Sequence, residues 1–315
     1  MRKGMRDNME VKRKKKKINY AVLFMAMCGV VFLFIFNYLP MFGVIIGFKD
    51  MDYALNISKA LSTSQFVGLS NFKAFLEDRD FKNVMVNTLG LNFLQLIITF
   101  PVPIIFAIML NELRSKKLQK GVQTITYLPY FLSWVVFGGI LIGMLSPEGG
   151  VVNEILKALG LIKEPISFVG NPAYFWAIVI ISSLIKGLGW GAIIYIAAIA
   201  GIDGALYDAA KIDGANRFQK AIYITIPCIT GTIVVMLLLQ VSGLLSSNFD
   251  QIYVLQNPLN LSRSEVLDTY IYKIGISQRR YSFTTAVGLF KSIISMILLT
   301  SGNFISKKIL GRGLY

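Results

Sequence analysis

From Tyr20 to Phe48 the chain runs 29 residues without a charged side chain, "YAVLFMAMCGVVFLFIFNYLPMFGVIIGF". About 20 apolar residues suffice to cross the hydrocarbon core of a bilayer. Inside that core the backbone must satisfy its own hydrogen bonds, which leaves only helices or closed barrels. Similar runs recur at 82–110, 121–145, 173–200, 223–247 and 283–305, separated by polar connections at 49–81, 111–120, 146–172, 201–222 and 248–282. Long blocks, rather than short segments of alternating polarity, exclude a barrel. A chain of 315 residues, 55% hydrophobic and 16% charged, is therefore expected to be an all-α polytopic membrane protein with six transmembrane helices. The first run greatly exceeds the apolar core of a signal peptide and lacks a small-residue cleavage site, so it reads as an uncleaved span.

Lysine and arginine set the orientation. With the N-terminus in the cytoplasm, nineteen of the 32 basic residues fall on the inner side: the tail before Tyr20, "NELRSKKLQK", the 201–222 connection and "SKKILGRGLY". Eleven of the 17 acids, among them Asp50, Asp52, Glu77, Glu148, Glu154, Asp250, Glu265 and Asp268, then lie outside. An even number of spans places both termini in the cytoplasm. The net charge of +15 owes much to "RKGMRDNMEVKRKKKK", directly against the first span. Such a block is a topology signal and a lipid-headgroup contact, so no nucleic-acid partner is expected. With no histidine, and with Cys28 and Cys228 in or beside apolar runs, imidazole acid–base chemistry, Cys/His zinc sites and a disulfide framework lose their support.

The 201–222 connection contains "YDAAKIDGANRFQKAIYITIP", Tyr207 to Pro227. "ALYDAAKI" favours a helix with a flat face at Ala209 and Ala210, and Asp213-Gly214 is a stop signal. The pattern predicts a short helix, a sharp turn and a second helix along the inner face, with Pro227 marking entry to the fifth span. Two readings fit: an interfacial hairpin that merely connects spans, or a docking element presented to a partner. Elsewhere, Pro40, Pro101 and Pro103 are kink sites within spans. The pairs Gly139/Gly143 and Gly187/Gly191 have the small-x-x-x-small spacing of close helix packing.

The order Asp208-Ala209-Ala210, three residues, Gly214, nine residues, Ile224-Thr225-Ile226-Pro227 resembles the EAA signature of ABC-importer permeases. That signature reads E-A-A, three residues, G, nine residues, I-x-L-P. The chain departs from it in Asp208 for Glu and Ile226 for Leu. "NYLPMFGVIIGFKD", "FKNVMVNTLGL", "VQTITYLPYFLSWVV" and "GWGAIIYIAAIAGID" are similar to the carbohydrate-uptake branch, related to the maltose-transporter family. The likeness covers the chain after the basic tail. It implies a type I importer permease fold: a cytoplasmic tail (1–19), a first span with its external loop (20–81), a permease core (82–306) with the EAA loop at 205–227, and a second tail (307–315).

The resemblance further implies a bacterial cell-membrane protein that pairs with a second, homologous permease, two cytoplasmic ATPase subunits and an extracytoplasmic substrate-binding protein, with an oligosaccharide as substrate. The chain has no GxxxxGK[ST] phosphate loop, so ATP and Mg would be used by the partner and this chain would not be an enzyme. Asp208, Ala209, Ala210, Lys211, Asp213, Gly214 and Arg217 would contact the ATPase, with Asp208, Lys211 and Arg217 pairing across that interface.

By the same analogy the substrate cavity lies near mid-membrane between the spans flanking the loop. Polar groups inside a membrane are costly and usually face a wet cavity. Lys186, Gly187 and Trp190 share one face of the fourth span; Gln240, Gly243 and Ser247, with Asn248 just beyond, share one face of the fifth. Gln95 and Asn92 of the second span can add to them. Lys186 and Lys291 stand mid-span and need partners. Either they have a structural role (a partner in the other permease, or snorkelling) or they attract an acidic saccharide. A permease for another solute, an ion-coupled secondary transporter and a membrane-embedded enzyme are the alternatives. The latter two are disfavoured because all 17 acids fall outside the six spans.

Overall fold

Each apolar run folds as a helix, the only open-ended way for a chain to satisfy its backbone within lipid. The computed structural model describes residues 20–311 and 313. The basic tail before Tyr20 and the last residues of the C-terminal tail lie outside the described residues. Among the described residues, five helices are long and apolar enough to cross a membrane: Tyr20–Phe48, Phe81–Asn111, Pro172–Ala200, Arg217–Ser242 and Tyr281–Lys308. These are spans one, two, four, five and six. The chain divides into two compact units between Ile45 and Ile46. The described part of the first unit is a continuous helix with a π turn at Phe34–Tyr38, just ahead of Pro40. All that follows concerns the second unit.

Local chemistry places several boundaries. Asn171 caps span four by accepting a hydrogen bond from the Ala173 amide at 2.9 Å, and Pro172 takes the first helical position, where its missing N–H costs nothing. Span six closes at Gly311, whose φ of 64° is the left-handed conformation that ends helices.

Three expectations need correction. Span three, expected over 121–145, is broken: Lys116–Phe131 and Trp134–Met144 meet at 99°. The two halves together are still apolar enough to cross a membrane, so span three stands as a bent span rather than a straight helix. Ser133 restarts the helix after the break, its Oγ accepting from the Val136 amide at 3.2 Å. Span five, expected over 223–247, instead starts at Arg217 and stops at Ser242. The expected second inner helix is thus the beginning of the span itself. Asn216 and Gln219 cap it reciprocally, both bonds 2.8 Å, and a π turn at Ala221–Thr225 carries the chain through Pro227. A proline deprives an upstream carbonyl of its donor, and a wider turn absorbs that loss.

The third correction concerns 248–282, read from sequence as a loop. It folds into short helices, Phe249–Leu255, Leu261–Ser264 and Leu267–Tyr272, that bury Ile252, Leu255, Val266, Leu267 and Tyr270 in the core. Amide side chains stitch it to distant spans. Gln251 donates to the Val179 carbonyl at 2.8 Å and to Ser182 Oγ at 2.9 Å, and accepts from Ser183 Oγ at 3.0 Å. Asn87 donates to the carbonyls of Ser262 and Glu265, both at 3.1 Å. Asn87 Oδ1 is buried without a hydrogen-bond partner among the described residues, so its amide nitrogen alone secures that tie.

Lys291 gains its partner in the same way: Asp268, carried in by this segment, pairs with it, and Asp268 Oδ2 also accepts from the Ser247 amide at 2.7 Å. Both side chains of the pair are less than a fifth exposed. Breaking such a pair from one side leaves a buried charge and costs about 3 kcal/mol or more. Lys291→Met alone is therefore expected to lower the melting temperature of the purified protein markedly, and adding Asp268→Leu should recover most of the loss. A double variant no better than the single would refute the pairing.

Glycine packing also differs from the expected pairs. A Cβ at Gly139, Gly143 or Gly187 would meet nothing within 4 Å, whereas at Gly189 it would stand 2.4 Å from the Thr126 carbonyl oxygen. Span four thus lies backbone to backbone on the first half of span three. Gly189→Val is expected to destabilise by about 1–3 kcal/mol through overpacking, with Gly187→Ala neutral; equal melting temperatures for the two would contradict the contact.

Candidate functional site

The break in span three creates the main site. A helix end leaves carbonyls unpaired and carries the negative end of the helix dipole. Lys186, 7% exposed on span four, answers both: its Nζ donates to the Tyr130 carbonyl at 2.7 Å and, more weakly, to that of Pro129 at 3.4 Å. The ammonium also lies 5.3 Å from the ring centroids of both Tyr130 and Trp134, within cation–π range. An ammonium has three protons, so one remains beyond those two carbonyls.

Around that cation opens a cleft of about 270 Å³, lined by Gln95 and Thr99 of span two, Tyr130 and Trp134 at the break, Ser183, Lys186 and Gly187 of span four, Gln240 of span five, and Asn248 and Gln251. A second cleft of about 310 Å³ shares Thr99 and Gln240 with it and extends past Trp190. The Tyr130 and Trp190 rings stack at 4.4 Å with planes 5° apart, leaving Trp190 46% exposed. Among the described residues no acid lines either cleft. Gln240 is exposed, and its side chain makes no hydrogen bond among the described residues. Aromatic planes, amides and one cation suit a hydroxyl-rich ligand with apolar ring faces, and an anionic one above all.

Of the residues singled out in the sequence, Gln95, Lys186, Gly187, Gln240 and Asn248 line the first cleft, and Trp190 with Gln240 the second. Gly243, Ser247, Asn92 and Lys291 line neither. Gly243 closes span five; Asn92 donates to Ser247 Oγ at 3.1 Å; Lys291 is held by Asp268. Tyr130, Trp134, Thr99, Ser183 and Gln251 were missed. The signal for the first two was "YLPYFLSW", where proline beside aromatics marks a break rather than a span interior.

The second feature is the helix Gly204–Ile212. Asp203 caps it, accepting from the Ala205 amide at 3.0 Å. Gly214, with φ of 77°, ends it: its amide bonds the Lys211 carbonyl at 3.1 Å and the Ala215 amide bonds that of Ala210 at 2.8 Å. This double closure is the Schellman motif, which needs a left-handed residue at that point. Asp208 and Lys211, expected to pair across an interface, pair with each other at 2.7 Å, and that hydrogen bond holds the Asp208 carboxyl below its usual range. Arg217 pairs with Glu112 at the end of span two, at 3.8 Å. Ala209 is exposed and Ala210 half-buried, and Asp213 lies in the turn. Ile212 and Phe218, which sequence reasoning passed over, are 88% and 74% exposed. Large apolar side chains in a polar connection were the available signal.

A membrane-crossing bundle with a polar, cation-bearing cleft, joined to an uncovered helix on one connection, defines a transport permease. The family of the binding-protein-dependent transport system inner membrane component matches residues 100–311. The chain belongs to that family. It is 40% identical over 287 residues to Protein LplB of Bacillus subtilis (strain 168), covering 91% of this chain and 88% of that one. It is 37% identical over 314 residues to the polygalacturonan/rhamnogalacturonan transport system permease protein YteP of the same organism, covering 100% and 95%. Among solved structures it is similar to a chain of a bacterial alginate ABC transporter in complex with an alginate pentasaccharide-bound periplasmic protein. There the TM-score is 0.84, with 34% identity over 94% of this chain and 96% of that one.

Proposed function

We propose that this chain forms half of the translocation pathway of an ATP-driven importer for oligosaccharides that carry carboxylates. The observation that carries the reading is the cleft at Lys186: one cation, stacked aromatics, several amides and no acid. The names of two relatives, a polygalacturonan/rhamnogalacturonan permease and an alginate transporter, support the same substrate class. The chain sits in the bacterial cell membrane with both termini in the cytoplasm, as the Lys/Arg distribution indicates. It pairs with a second permease, receives substrate from an extracytoplasmic binding protein, and is driven by two ATPase subunits that use ATP and Mg. Gly204–Ile212, with exposed Ile212 and Phe218 beside it, is the surface offered to the ATPase.

The test is ATPase stimulation of the assembled complex by its binding protein loaded with a panel of saccharides. Oligogalacturonates or oligoalginates are expected to stimulate, and their neutral counterparts much less. Stimulation by neutral oligosaccharides alone would overturn the acidic assignment; stimulation by no saccharide would overturn the sugar assignment.

A further inference from the structure

The π turn at Ala221–Thr225 has a partner outside its own helix. Thr225 is 3% exposed, and its Oγ1 donates to the Lys220 carbonyl at 3.4 Å, across the turn. A threonine hydroxyl has one proton. The Tyr207 hydroxyl lies 2.9 Å from Thr225 Oγ1, and when Tyr207 donates that bond the threonine proton stays available to Lys220. Tyr207 stands on the helix Gly204–Ile212, on the far side of the Gly214 turn. The chain of bonds therefore runs from that helix, through two hydroxyls, to a backbone carbonyl of span five.

A π turn holds one residue more than an α-helix accommodates, and such turns gather at functional positions. This one lies between two ties: Arg217 to Glu112 at the start of the helix, and Thr225 to Tyr207 at the end of the turn. Fifteen residues beyond Thr225, about 22 Å along the helix, Gln240 enters both clefts. A change in the turn re-registers everything downstream of it, Gln240 included.

We infer that the Tyr207–Thr225 hydrogen bond is a strut that passes displacement of the Gly204–Ile212 helix into the π turn of span five, and so to the cleft. Tyr207 and Thr225 are positioning residues: they touch neither substrate nor nucleotide. The inference rests on the proposal that Gly204–Ile212 meets the ATPase.

The experiment reconstitutes the full complex in proteoliposomes with Tyr207→Phe, Thr225→Val, both together, and Thr225→Ser. Substrate imported and ATP hydrolysed are measured in parallel. Each of the first two is expected to lower substrate imported per ATP by roughly three-fold or more, within the reach of one buried hydrogen bond. ATP hydrolysis itself should stay near wild type. The double variant should match the singles, because both remove one interaction, and Thr225→Ser should keep the wild-type ratio. An unchanged ratio in Tyr207→Phe, a parallel fall in import and hydrolysis, or singles that multiply in the double would overturn the strut. Ile212→Asp tests the underlying reading: it should release the ATPase on purification. If it does while Tyr207→Phe leaves the ratio intact, only the strut fails; if the ATPase stays bound and coupled, the docking surface fails and the strut with it.

Discussion

Replacing Lys186 by methionine is expected to cut import of an acidic oligosaccharide at least ten-fold while leaving the complex assembled. Methionine keeps the length and most of the volume, so the Tyr130–Trp190 stack and the Gly189 contact have no reason to move. What disappears is the one positive charge that lines the cleft among the described residues. A hydrogen bond to a charged group contributes about 1.5–3 kcal/mol, and about 1.4 kcal/mol is a factor of ten. The cost on the protein side is two carbonyls at the break, Pro129 and Tyr130, that lose their donor. In a half-open cleft water can replace it, so assembly should survive. Lys186→Arg keeps the charge with a different fork and should retain a substantial part of the import. Import is measured with acidic and neutral oligosaccharides side by side, together with the yield of intact complex. Equal loss for both sugars, with the complex failing to assemble, would show that Lys186 serves only the break in span three.

Gly214→Pro should abolish coupling without unfolding the bundle. Proline holds φ near −65° and has no N–H, whereas Gly214 has φ of 77° and donates to the Lys211 carbonyl. Both halves of the helix closure fail together, and the exposed Ile212 and Phe218 lose their relative placement. Gly214 belongs to none of the three apolar clusters of the core, so melting temperature should change little. ATPase retained on purification and substrate imported should both fall steeply. Gly214→Ala, with open space around it and only a left-handed strain of roughly 1–2 kcal/mol, should give an intermediate loss. Normal assembly and import in the proline variant would mean that Gly204–Ile212 merely connects spans four and five.

How much of this was legible beforehand differs from element to element. Spans two, four and six matched their apolar runs to within a few residues, because a long apolar run leaves the backbone no alternative in lipid. The Gly214 turn was equally legible, since Asp-Gly after a helix is a local instruction. Span three was legible as an apolar run over 121–145 but not in shape, because hydropathy does not see that the chain turns 99° just before Trp134. The 248–282 segment misled because its amides and acids read as a wet loop, while a partner such as the Val169 carbonyl, which accepts from Asn260, lies 91 residues away.

What the sequence by itself determined is everything whose cause lies within a few turns of chain: helical spans, their caps, the left-handed stop at Gly214 and the basic bias toward one side. What only the tertiary structure decided is where the mid-membrane charges go. Lys186 and Lys291 look alike as isolated lysines in apolar helices. One is placed by the carbonyls of a broken span beside a cleft and the other by Asp268 folded in from a connection. Charge in a low-dielectric interior is governed by the nearest partner in space, and spacing along the chain does not record which partner that is.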